Sequence, residues 1–186
     1  MGKIPKSAKK VFSGIIFDVY QWKQEMFDGT YKTFEMLKRP DTVNIIMVNE
    51  HGKILLAREQ QPGKRETLGG FGGRVDQGED ILSAGKRELL EETGYVADKF
   101  ELWFQISPSE KIEWTIYIYI AKGLKQTNQK NLESGEKIDI YEVTFEEFVN
   151  KTIYLANFRD QELALQVMKM KKNIKNFNTL KKLFSN

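Results

Sequence analysis

Cysteine is absent from the 186-residue chain, which excludes a disulfide scaffold, thiolate metal ligands and a cysteine nucleophile together. Histidine occurs once, as His51 in Asn49-Glu50-His51-Gly52, a stretch that reads as a turn and offers no functional candidate. No apolar run approaches the roughly 18 residues of a membrane span, so no membrane partner is expected. The start MGKIPKSAKK has no apolar segment after its lysines, so a secretory signal is not expected and a cytoplasmic location is. Prolines number four, and no linker rich in Pro, Gly or Ser interrupts the chain. What is present is an ordinary globular composition, 40% hydrophobic. A chain of this length buries roughly 70% of the surface its unfolded form exposes, so one main domain with its own core is expected.

The net charge of +3 is small but unevenly placed. Residues 1–10 carry four lysines and no acid, residues 169–186 carry six lysines and no acid, and the body between them carries −7. Terminal lysines commonly confer solubility and nothing more; the alternative for the last segment is a weak polyanion contact.

Residues 15–22 and 30–37 are β-rich runs around Asp28-Gly29, a hairpin signal, and residues 42–48 and 53–57 flank the turn at His51. Residues 101–106, 114–121 and 138–143 are further strands. The run Trp114 to Ala121 is apolar on both of its alternating faces, which fits a sheet covered on both sides. Helices are expected from Asp80 to Thr93 with Gly94 as the stop, from Thr144 with Glu147 at capping-box spacing, and from Asn157 or Asp160 to Lys172. The last residues read as frayed. Strands with interspersed helices give one α/β (α+β) unit.

The chemistry concentrates in residues 69–94, GGFGGRVDQGEDILSAGKRELLEETG, a glycine-dense loop running into an acidic helix. Glycines there allow close approach of a ligand to the main chain, and they equally fit a sharp strand-to-helix connection. They match neither a P-loop nor a dinucleotide fingerprint. Glu88, Glu91 and Glu92 stand at i, i+3 and i+4, on adjoining turns of one helix face. Each like-charge pair at that spacing costs an isolated helix a few tenths of a kcal/mol. A solvated acidic face is the plain alternative; a divalent cation with a preference for carboxylate oxygen, Mg²⁺ or Mn²⁺, resolves the repulsion. Arg87 can clamp Glu79 or Glu91 in a two-pronged pair, and Leu82, Gly85 and Leu89 are expected to face the sheet.

Gly73, five residues, Glu79, seven residues, then Arg87-Glu88-Leu89-x-Glu91-Glu92-x-Gly94 resembles the signature of the Nudix hydrolases at every fixed position. Tyr95 departs from it, standing where the family usually has an aliphatic residue. The resemblance implies a Nudix-type α/β/α sandwich with a mixed sheet and an N-terminal antiparallel strand pair. It divides the chain into 1–40 (dimerisation and substrate contact), 41–172 (hydrolase domain) and 173–186 (basic tail). It also implies a Mg²⁺- or Mn²⁺-dependent hydrolase of a nucleoside diphosphate linked to another group. Glu88 and Glu92 become metal ligands, Glu91 a third ligand or water contact, and Gly72 a main-chain carbonyl ligand. Gly73, Glu79 and Gly94 are structural in the motif, with Arg87 organising the loop and helix around the reaction.

From about Phe12 to Lys172 the chain resembles the ADP-ribose pyrophosphatase branch, through the strand pair around Asp-Gly, Lys38-Arg39-Pro40-Asp41 and Ser107-Pro108. That branch implies a nucleoside diphosphate sugar substrate, a homodimer and a catalytic base in an acidic loop before a late strand. Glu136 is preferred over Glu133 for the base because it is nearer the strand. Candidate substrate contacts are Trp22, Glu35, Arg39, Arg58, Glu110 and Glu113, with Tyr20 and Phe12 as further aromatics. Two stretches depart from the branch: Glu59-Gln60-Gln61-Pro62 lacks an arginine many relatives carry, and Gly69-Gly70-Phe71-Gly72-Gly73 replaces Glu-Leu-Pro-Ala-Gly. Arg58, Lys64, Arg65 and Arg74 are the candidates to supply the missing charge. The alternatives are a Nudix hydrolase of a nucleoside triphosphate, dinucleoside polyphosphate or capped RNA, and a non-catalytic nucleotide-sensing or RNA-binding Nudix domain. A nucleic-acid partner is not the leading expectation.

Overall fold

The protein is seen in a computed structural model that describes residues 3–132 and 134–185. In chain order the elements are β1 (Lys9–Ser13), β2 (Asp18–Glu25), β3 (Tyr31–Lys38), β4 (Thr42–Val48), β5 (Ile54–Gln60) and β6 (Thr67–Gly69), then α1 (Ile81–Thr93). After it come β7 (Tyr95–Ile106), β8 (Ile112–Glu113), β9 (Ile116–Gln126), β10 (Lys137–Val143), α2 (Phe145–Tyr154), α3 (Gln161–Lys171) and α4 (Ile174–Leu183).

The central sheet runs β10-β5-β4-β9-β7, with β6 paired to β5 beside it. Its pairs are antiparallel except β4 with β9, which makes the sheet mixed. Period-2 alternation along β4 decides what each face covers. Val43, Ile45 and Met47 pack with Ala84 and Leu89 of α1, whereas Ile46 and Val48 pack with Phe148 of α2, Leu163 and Val167 of α3 and Leu180 of α4. Helices on both faces account for strands that are apolar on both sides, as the run at Trp114 predicts. Gly85 is buried against β4, where an added Cβ would stand 3.2 Å from Val43 Cγ2; Leu82, expected to face the sheet, is only half-buried.

The second sheet runs β1-β2-β3-β8. The expected N-terminal pair is therefore four-stranded. Residues 9–13 add one edge, and residues 112–113 return to pair parallel with β3 at the other. The sheet that residues 1–40 begin is completed from inside the segment 41–172. Most of it is open to solvent: every residue of β1 is exposed, and of β2 and β3 Met36 alone is buried.

Residues 173–186, read as a frayed basic tail, are corrected by α4. Phe177, Leu180 and Phe184 recur at helical spacing, and Leu180 and Phe184 are buried against Phe148 and Trp103. The lysines occupy the outer face of a helix that is part of the core.

Candidate active site

Helix α1 begins at Asp80, whose side chain accepts from the Ser83 N–H at 3.1 Å, and ends at Gly94, whose φ of 74° is the left-handed stop that glycine favours. The carbonyls left over at that end tie down the loop that follows β9. Glu91 O accepts from Asn131 N–H and Gly94 O accepts from Thr127 N–H, at 2.8 and 2.7 Å. The chain between β9 and β10 is thereby fastened to the helix bearing the glutamates, and it carries Glu136 to the same cleft.

On the other side, the glycine loop lies along β4: Val43 N–H donates to Gly73 O at 3.0 Å, and Phe71 and Ile45 exchange both backbone bonds. Gly72 has φ 132°, and a side chain there would collide with the Val43 carbonyl oxygen. Its N–H donates to Glu92 Oε2 at 2.8 Å. At Gly73 a Cβ would stand 2.5 Å from Glu88 Oε1, so the bare backbone is what admits that carboxylate.

Arg87 organises the acidic side chains. Its guanidinium makes two 3.0 Å bonds to the oxygens of Glu79, and further bonds to Glu88 at 2.9 Å, Glu91 at 3.1 Å and the Arg74 carbonyl at 3.0 Å. Glu79 also accepts from the Asp76 N–H at 3.1 Å. These bonds, those from Arg87 first, hold Glu79 below the usual carboxylate range, and they raise Arg87 above its ordinary value. Glu88 and Glu92 shift the other way. Burial pushes Glu88 up against the opposing pull of Arg87. Burial pushes Glu92, 7% exposed, up to about 8, with the charges of Glu88 and Glu136 adding to it and the Gly72 N–H resisting.

Arg87, Glu88, Glu91, Glu92 and Glu136 line a cleft of about 420 Å³ together with Gly72, Gly73, Arg74, Asp76, Glu59, Gln61 and Arg159. Among the described residues no three carboxylates already converge as a metal cage. Arg87 holds Glu88 and Glu91 instead. The donor set nonetheless fits a hard divalent cation: it is all oxygen, and Glu92 is strained towards protonation by burial and by neighbouring carboxylates, a cost that a cation relieves.

A broader cleft of about 860 Å³ adjoins the first, with Asp76 on both walls. Arg39 lies in it, its guanidinium 4.4 Å from the Trp114 ring and 5.7 Å from the Phe17 ring, with Nε buried and lacking a hydrogen-bond partner. Glu113 and Ser107 line the same cleft. Glu113 also bonds Lys38 at 2.7 Å and the Ile4 N–H at 3.0 Å, fastening β8 to β3 and to the N-terminal segment.

Several sequence candidates lie elsewhere in this chain. Trp22 packs against Phe34 and donates to Gln24, Glu35 accepts from Gln21, and Glu110 is exposed; none of the three lines either cleft. Arg58 is on the wrong face. Alternation along β5 puts Leu55, Ala57 and Glu59 towards α1, and Arg58 instead pairs with Asp139 at 3.7 Å over the Tyr141 ring. Of the other charge candidates, Arg74 lines the cleft, Lys64 reaches Gln61 at 2.7 Å, and Arg65 lines neither cleft. Glu133 lies outside the described residues. Sequence reasoning missed Glu59 and Arg159. The alternation of β5 signals the first, and no local pattern signals the second.

The NUDIX domain model matches residues 38–165, which is most of the chain and contains the whole loop and helix just described. The chain belongs to the NUDIX domain family. It is 29% identical over 175 residues to an ADP-ribose pyrophosphatase of Bacillus subtilis (strain 168), covering 87% of this chain and 94% of that protein. It is 31% identical over 155 residues to a methanol dehydrogenase activator of Bacillus methanolicus, covering 79% and 83%. A solved structure described as an ADP compounds hydrolase superposes with a TM-score of 0.72 at 19% identity, covering 92% of this chain and 94% of the other, which shows that the fold is shared. No helix among the described residues is long and apolar enough to cross a membrane.

Proposed function

We propose that this Nudix protein hydrolyses the diphosphate bond of ADP-ribose or a related nucleoside diphosphate sugar, releasing a nucleoside monophosphate and a sugar phosphate. The observation that carries the reading is that Glu88, Glu92 and Glu136 line one cleft, which shares Asp76 with a second, larger cleft. Likeness over nearly the full length to a relative described as an ADP-ribose pyrophosphatase supports the substrate class.

Glu88, Glu92 and the Gly72 carbonyl would hold Mg²⁺ or Mn²⁺, with Glu91 as a further ligand or water contact. When bound, the cation neutralises diphosphate charge and acidifies water. The chain's own residues do the rest. Glu79 and Arg87 fix the carboxylates, and Glu136 accepts the proton of the attacking water as its oxygen bonds to phosphorus and the bridging P–O bond breaks. Arg39, stacked on Trp114, offers a planar cationic and aromatic surface for the nucleoside in the larger cleft.

A homodimer completes the reading. Val11 and Phe12 of β1 and Ile15 and Ile16 of the turn after it are exposed, Ile15 at 95%, an apolar patch suited to a second copy, whose Trp22 and Glu35 would be the ones offered to substrate. The test is a substrate panel with product identification: nucleotide sugars, nucleoside triphosphates, dinucleoside polyphosphates and capped RNA. Turnover confined to nucleotide sugars is expected; turnover confined to triphosphates, or to RNA, would replace this reading.

A further inference from the structure

We propose that Arg159, on the loop between α2 and α3, is a substrate-contacting residue that binds the diphosphate from the side of the cleft opposite α1. This rests on the nucleotide-sugar reading above.

Backbone pairing brings Arg159 there. Leu68 N–H donates to Asn157 O at 3.1 Å and Arg159 N–H donates to Leu68 O at 2.9 Å, so residues 157–159 run beside β6 and pass over the start of the glycine loop. A Cβ on Gly69 would stand 2.7 Å from Arg159 Cγ, so the course of this side chain depends on that glycine. The guanidinium then pairs with Glu59 and donates to the Gly70 carbonyl, while the adjacent Asp160 accepts the Gly70 N–H at 2.7 Å. Glu59 is buried, and its other oxygen accepts from Gln61 Nε2 at 2.8 Å.

A buried ion pair is seldom a net stabiliser, because desolvation offsets the Coulombic gain. Its effect here is to hold a planar cation at the edge of the cleft. Three cations line that cleft: Arg74, Arg87 and Arg159. Arg87 is committed to three carboxylates and a carbonyl, and Arg74 is exposed on the surface. Arg159 is 27% exposed; Glu59 and the Gly70 carbonyl fix its guanidinium, with Nε 3.7 Å from Asp160 Oδ1, while a guanidinium has five N–H donors. The remaining donors suit a two-pronged hold on phosphate oxygens, and prior orientation by Glu59 reduces the entropy lost on binding.

The experiment titrates wild type, Arg159→Gln, Arg159→Lys and Glu59→Gln with ADP and with adenosine, in Mg²⁺ and after EDTA. Arg159→Gln is expected to weaken ADP about tenfold or more and to leave adenosine unchanged. Arg159→Lys should fall between. Glu59→Gln, which frees the guanidinium of its counter-charge, should bind ADP at least as tightly as wild type; a purely structural clamp would instead lose affinity in that variant. Should Arg159→Gln melt below the assay temperature, Arg159→Lys decides, since it keeps a partner for Glu59. Unchanged ADP affinity in the folded Arg159 variants, with wild type hydrolysing nucleotide sugars, overturns this inference alone. A wild type that neither binds ADP nor turns over nucleotide sugars overturns the functional reading and this inference together.

Discussion

The N–H of Gly72 donates to Glu92 Oε2 at 2.8 Å, joining the glycine loop to a carboxylate 20 positions later on α1. This bond registers the loop against the helix. It is also the main compensation for a charge that is 7% exposed and faces the like charges of Glu88 and Glu136. The site is thus assembled around one under-compensated carboxylate.

Gly73→Ala should separate activity from stability. The new Cβ would stand 2.5 Å from Glu88 Oε1, the far end of a flexible side chain, so the fold can adjust while the carboxylate moves away. Hydrolysis is expected to fall roughly tenfold or more, equivalent to about 1.4 kcal/mol. The melting temperature should change little, as a melt and a rate measurement on the same sample will show.

The metal-free protein should lose stability as pH rises towards about 8. Burial raises Glu92 in the folded chain to about 8, from an unfolded value near 4.5. The protonated form is therefore favoured by folding. That contribution is full below about pH 4.5 and is lost as pH climbs through the folded value. Denaturant titrations in EDTA between pH 5 and pH 8.5 measure it, and Mg²⁺ should restore stability most at the upper end, where protons no longer compete for the carboxylate.

Arg87→Ala should destabilise by about 1–3 kcal/mol, between the values for exposed and buried ion pairs, since the side chain is 30% exposed and bonds three carboxylates. Differential scanning calorimetry should register a fall of several degrees. Added Mg²⁺ should recover part of it by taking over Glu88 and Glu91.

Leu180→Ala, in the helix that closes the second face, should cost about 2–5 kcal/mol, the range for a fully buried leucine. Truncation after Lys172 should cost more, because it also uncovers Phe148 and Trp103 where Phe184 packs. Urea melts of the two proteins against wild type check both.

The parts of this structure that are written locally were legible in the sequence. Asp80 and Gly94 bound α1, and the capping box of Thr144 and Glu147 opens α2, because a cap is a contact between near neighbours. The three box glutamates fell on one helix face for the same reason. What was illegible depends on distant pairing. Nothing in Asn157 to Asp160 announces that it lies beside Leu68, and nothing in Ile112-Glu113 announces a bond to β3. Strand alternation turns Glu59 towards the cleft and Arg58 away from it, to Asp139. The lysines of the last segment obscured the apolar stripe of Phe177, Leu180 and Phe184.

The central claim is that the cleft of Glu88 and Glu92 breaks a diphosphate bond. Its most direct test is chromatography of the products formed from ADP-ribose and Mg²⁺ by wild type and Glu92→Gln, side by side. AMP and ribose 5-phosphate from wild type, with a loss of roughly a hundredfold or more in the folded variant, equivalent to about 2.7 kcal/mol, is the predicted result. Equal rates in the two proteins, or no AMP from wild type, would contradict it.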